Sequence, residues 1–166
     1  MTTLAAAQAA LAVAHQVVYG YGVVVAKLAG HARTAALRRL VEHQLSRDRL
    51  ADIVHVEGGV PVAARPAYAL PFSLSDAMDA YRLAASLEDA VAGTAWDLVA
   101  MSAAASHPRQ VAVDALGDAA AWATWWRSLT TTSGEPALPG QPEPSQPSTT
   151  PTSSPSSSIT PSGSTS

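Results

Sequence analysis

Apolar residues recur at steps of three and four along four separate stretches of this chain, and a period near 3.6 sustained at such length leaves little besides packed helices. Leu11, Ala14, Val18, Tyr21, Val25 and Leu28 make the first seam, and Leu40, His43, Arg47, Leu50 and Val54 the second. The third reads Tyr81, Ala84, Glu88, Val91, Ala95, Leu98, and the fourth Val111, Ala115, Asp118, Trp122, Trp125, Leu129. Each of the last three carries a charge where an apolar side chain is expected. Burying a charged group without a partner is costly, so Arg47, Glu88 and Asp118 are expected to meet in one core, with His43 and Tyr21 beside them.

The helix boundaries follow from local chemistry. Helix 1 is expected from about Thr3 to Ala29, where Gly30 stops it, with Gly20 and Gly22 leaving room for a neighbouring helix or a kink. Helix 2 should begin near Arg33 and end before Gly58-Gly59. Ser75, Asp76 and Asp79 supply a side-chain acceptor and acidic residues for the first turn of helix 3, which should run to Ser102. Pro108 opens helix 4. Residues 58–74 contain Pro61, Pro66 and Pro71 with an apolar fringe of Val60, Val62, Tyr68, Leu70 and Phe72, which suits an ordered crossover lying against the helices. Four helices with two short connections and one long one make an up-down bundle or its ferritin-like variant with a crossover between helices 2 and 3, and the length of that connection favours the variant. Beyond Leu129 the chain turns to Ser, Thr, Pro and Gly, so residues 131–166 are expected to be a disordered tail after a domain spanning residues 1–130.

Composition narrows the functional classes. With 166 residues, 48% of them apolar and a single Phe, the chain suits one domain whose helices pack closely on alanine. The absence of Cys excludes disulfides, thiolate catalysis and thiolate metal sites, and fits a cytoplasmic setting. A formal charge of -3 without a Lys/Arg block gives no footprint for nucleic acid. Residues 4–29 are interrupted by His15, Gln16 and Lys27, so they read as a core helix and not as a membrane span. Ala12, Val13 and Ala14 look like a leader-peptide cleavage site, but no basic residue precedes them and the helical pattern runs through. Neither a phosphate-cradling glycine loop nor a nucleophile elbow is present.

The polar core poses the chemical question. A di-iron bundle takes one Glu from each of two helices and a Glu-x-x-His pair from each of the other two, and no Glu-x-x-His occurs here. Arg47 can bring the positive charge a metal would bring, bridging Glu88 and Asp118 through its forked donors. No cofactor is then needed. If a metal is held, iron or manganese on His15, His43, Glu88 and Asp118 is the expected set. A further alternative is a small-ligand pocket among Tyr21, Trp122 and Trp125.

Several short motifs now fall into order: His15 with Tyr19, Tyr21 and Gly22; His43 with Arg47 and Asp48; Tyr68, Leu70 and Pro71; Leu87, Glu88 and Asp89; Asp118 to Ala120 with Trp126 and Arg127. In these the chain resembles the DUF4439 family, actinobacterial alanine-rich proteins with a ferritin-like fold, from about Leu4 to Leu129. The resemblance implies a ferritin-like bundle and names no reaction. Family members usually carry Glu immediately before the helix 1 histidine, where this chain has Ala14, which further weakens the case for a metal. The combined expectation is a cytoplasmic all-α, ferritin-like four-helix bundle with a structural or interaction role. Its alanine-rich outer faces suit a homo-oligomer, and the alternative is a di-iron or di-manganese protein or oxidoreductase.

Overall fold

In a computed structural model, residues 1–131 are described and form four helices with no strand among them. They are α1 (Thr3–Lys27), α2 (Gly30–Val56), α3 (Ala77–Met101) and α4 (His107–Thr131). The expected tail lies outside the described residues.

Three of the helix ends have an identifiable cause. Thr2 caps α1 by accepting from the Ala5 amide at 3.2 Å. At the start of α3, Asp76 accepts from the Asp79 amide at 2.9 Å while the Asp79 carboxylate accepts from the Ser75 amide at 3.0 Å, a reciprocal arrangement that satisfies two otherwise orphan donors. α2 closes at Gly58, whose φ of 82° lets its amide reach the His55 carbonyl while the Gly59 amide reaches that of Val54. α2 also begins three residues earlier than its sequence suggests, at Gly30, so α1 and α2 are joined by little more than Leu28 and Ala29.

The long connection, residues 57–76, fixes the topology. Val60 and Val62 are held by the Gln8 side chain, which donates to the Val60 carbonyl at 2.6 Å and accepts from the Val62 amide at 3.0 Å. Further along, the Tyr68 ring packs on Tyr19 with centroids 5.7 Å apart, and Leu70 and Leu74 join the core around Val17, Tyr21 and Val24. The connection therefore climbs the length of α1 and starts α3 at the opposite end from where α2 finished. α2 and α3 run parallel, and α1 runs antiparallel to both: Thr3 at the start of α1 donates to the carbonyl of Met101 at the end of α3. This is the crossover form of the bundle.

α1 packs against both α2 and α3. It is long and apolar enough to cross a membrane, with mean hydropathy 1.6, but a core helix meets the same test, and ten of its 25 residues are buried within the bundle. Gly20 faces α3, where Leu87 approaches so closely that a Cβ would lie 2.7 Å from its Cδ1, whereas Gly22 meets open space. The first glycine serves close packing, as its sequence position suggests. Two apolar clusters fill the interior, one around Val17, Leu83 and Trp126 and another around Leu11, Ile53 and Leu98.

α4 departs from expectation in phase. Its buried residues are Ala112, Ala119, Ala123 and Trp126, one position after the predicted stripe. One residue is about 100° of rotation on a helix. The bulkier Val111, Trp122 and Leu129 flank a narrow alanine strip, and this strip lets α4 approach the core.

Candidate functional site

Glu88 is wholly buried, and its carboxylate is enclosed by donors from two other helices. Arg39 of α2 binds it with a fork, Nε to Oε1 and Nη2 to Oε2, both at 2.8 Å. Tyr21 of α1 donates its hydroxyl to Oε1 at 2.5 Å, and His43 Nε2 lies 3.0 Å from the same oxygen. Trp126 of α4 donates its indole N–H to the Tyr21 oxygen at 2.9 Å, so all four helices contribute. Glu42 takes a further Arg39 donor at 3.1 Å, and the guanidinium carbons of Arg38 and Arg39 stand 5.3 and 5.6 Å from the centre of the Trp122 ring. Among the described residues no buried side-chain nitrogen or oxygen lacks a partner.

The electrostatics follow from this enclosure. Burial alone raises the Glu88 carboxyl, but the hydrogen bonds and charges of Arg39 and His43 outweigh it and bring the group down to about 2. Burial lowers Arg39, and Glu88 more than reverses this, so the guanidinium is held charged. Tyr21 is pushed far above the ordinary phenol range, first by burial and then by the Glu88 charge. The result is an ion pair fixed in its charged form beside a phenol fixed in its neutral form.

Of the expected cluster, the structure brings together Tyr21, His43 and Glu88, and it leaves out Arg47 and Asp118. Arg47 lies eight residues beyond Arg39, about 12 Å further along the helix axis, and pairs with its neighbour Asp48 at 2.7 Å. Asp118 is exposed because the phase of α4 is shifted. The guanidinium that neutralises Glu88 is Arg39, which the sequence reading missed. Its signal was its place one turn before His43 and one after Ala36 on the buried face of α2.

The remaining candidates are dispersed. His15 lies half-buried on α1, its Nε2 3.0 Å from the Val62 carbonyl, and so helps to hold the crossover. Trp122 and Trp125 line a surface pocket with Arg38, from which the wholly buried Tyr21 is absent, so the three do not form the expected ligand pocket. A metal ligand set does not fit this core: both Glu88 oxygens are occupied by protein donors, and His15 and Asp118 point elsewhere. Among the described residues no group of three or more His, Asp or Glu side chains is disposed to hold an ion.

A family model described as a domain of unknown function, DUF4439, matches residues 6–143. The chain belongs to the DUF4439 family. A crystal structure of a conserved hypothetical protein from Mycobacterium tuberculosis, rv2844, is similar to it at 32% identity and a TM-score of 0.73, over 76% of this chain and 96% of that one. Comparison with the curated proteins finds no match. In this DUF4439 chain, His15 and Tyr19, which lie outside the Glu88 cluster, secure the crossover.

Proposed function

We propose that this DUF4439 chain is a ferritin-like bundle in which a protein guanidinium takes the place of a core metal, and that it acts as a structural or interacting subunit without redox chemistry. The observation that carries this reading is the closed Arg39–Glu88 pair, whose carboxylate has Tyr21 and His43 as its other partners. Bound iron or manganese would have to displace a forked, charge-assisted pair from a fully buried carboxylate. Metal analysis after incubation with ferrous or manganous salt and desalting tests it. Metal well below one ion per chain is expected. Stoichiometric metal that disappears in Glu88→Gln would establish the di-metal alternative instead.

The interaction role is supported by the outer face of α2, where Leu37, Val41 and Leu45, at successive four-residue steps, are 44%, 53% and 53% exposed. Their natural occupant is the same stripe of a second copy packed antiparallel, a two-fold arrangement that pairs each residue with its own kind. Light scattering on the full chain should show a dimer that Val41→Lys dissociates; a monomeric wild type at high concentration overturns this part. The lack of Cys and of a basic block supports a cytoplasmic setting without a nucleic-acid partner.

A further inference from the structure

His43 uses one ring nitrogen on Glu88, and the other has no partner among the described residues. Since no buried polar atom there is left unpaired, Nδ1 must reach open space. His43 borders a cleft of about 180 Å³ lined largely by α2 and α4. Its lining includes Ser46, Arg49, Asp114 and Asp118. Past His43 and Ser46, which line both spaces, lies a smaller apolar chamber of about 30 Å³ walled by Ala10, Ala14, Ala95 and Leu98. The cleft thus has a polar mouth, a histidine at its neck and an apolar end.

The network fixes what the neck presents. Nε2 faces an ionised carboxylate and therefore donates to it, which leaves Nδ1 as the ring nitrogen open to the spaces that His43 lines. At the mouth, Asp114 and Asp118 sit one turn apart on the same face of α4, and Asp118 has no ion pair among the described residues. Arg39 is already neutralised by Glu88, leaving Arg49 as the cation in the lining that is not paired in this way. The lining is therefore rich in acceptors and negative in balance.

We propose that this cleft binds a small primary ammonium compound with a short alkyl chain. Its N–H groups donate to His43 Nδ1 and to the carboxylates of α4, and its chain end enters the alanine-walled chamber, which has room for little more than a methyl or two. The buried ion pair then serves a second purpose: Glu88 holds the imidazole with Nε2 turned inward, leaving Nδ1 for the ligand.

The test uses the full chain with ¹⁵N-labelled histidine, at a pH between the ordinary histidine and lysine ranges. n-Butylammonium should shift the His43 Nδ1 resonance saturably, whereas tetramethylammonium, which has no N–H, and butyrate, which has the wrong charge, should leave it in place. Asp118→Asn should weaken n-butylammonium by about tenfold, and Ala115→Met, at a position that lines both spaces, should abolish the shift. An unmoved resonance with n-butylammonium, equal binding of butyrate, or unchanged affinity in Asp118→Asn overturns the proposal. So does saturation of the site by zinc or manganese alone at one ion per chain.

Discussion

Glu88 contributes to this protein through its partners, and removing different partners should have different effects. Arg39→Ala leaves a buried carboxylate without its charge partner and should cost about 3 to 5 kcal/mol. Arg47→Ala removes a half-exposed pair with Asp48 and should cost under about 1 kcal/mol. Urea unfolding of the two variants distinguishes Arg39 from Arg47 as the core guanidinium. Acid should reproduce the first effect. The Glu88 carboxyl lies near 4.5 when unfolded and near 2 when folded, so its contribution is complete above about pH 4.5 and is lost as pH falls toward 2. That loss is of order 3 kcal/mol, and the acid limb should flatten over this window in Glu88→Gln, which has no such group to protonate. Tyr21 adds a check in the opposite direction: one of the four tyrosines should resist ionisation in alkali until the protein unfolds, and Tyr21→Phe should remove that resistant phenol.

At the scale of the helix, phase and axial level decided what residue types could not. The seams of α1 and α3 were legible because their buried residues are large or closely spaced: Leu11, Tyr21 and Val25 on one, Ala84, Leu98 and Glu88 on the other. α4 misled because its inward strip is alanine apart from Trp126, and the eye follows Trp122 and Trp125, which sit at the margin. Alanine carries little hydrophobic signal yet permits the closest approach, so burial and bulk separate there. Glycines in α1 illustrate the same point by experiment. Gly22→Ala enters open space and should stabilise the helix by about 0.5 to 1 kcal/mol. Gly20→Ala must displace Leu87, so it should forfeit that gain in thermal unfolding, although propensity alone treats the two positions alike.

The whole molecule is organised by residues 57–76 climbing back along α1. Because α2 and α3 then run parallel, Glu88 falls between Arg39 and His43, one turn apart on α2, and Arg47 is carried past it. Gln8 is the clamp at the start of that climb, bonded on both sides to the connection, and Gln8→Ala should cost about 1 kcal/mol while making residues 60–66 cleave faster in limited proteolysis. An unchanged cleavage rate would show that His15 and Tyr19 suffice to hold the segment. From its residues alone the chain determined four helices, the place of the long connection and the burial of Glu88, because periodicity, capping and the cost of an exposed seam are properties of short stretches. Which guanidinium meets that carboxylate, and that Asp118 lines a cleft instead of the core, were decided only in three dimensions. Both depend on the level and rotation of one helix against another, and those are set by packing between residues far apart in the chain.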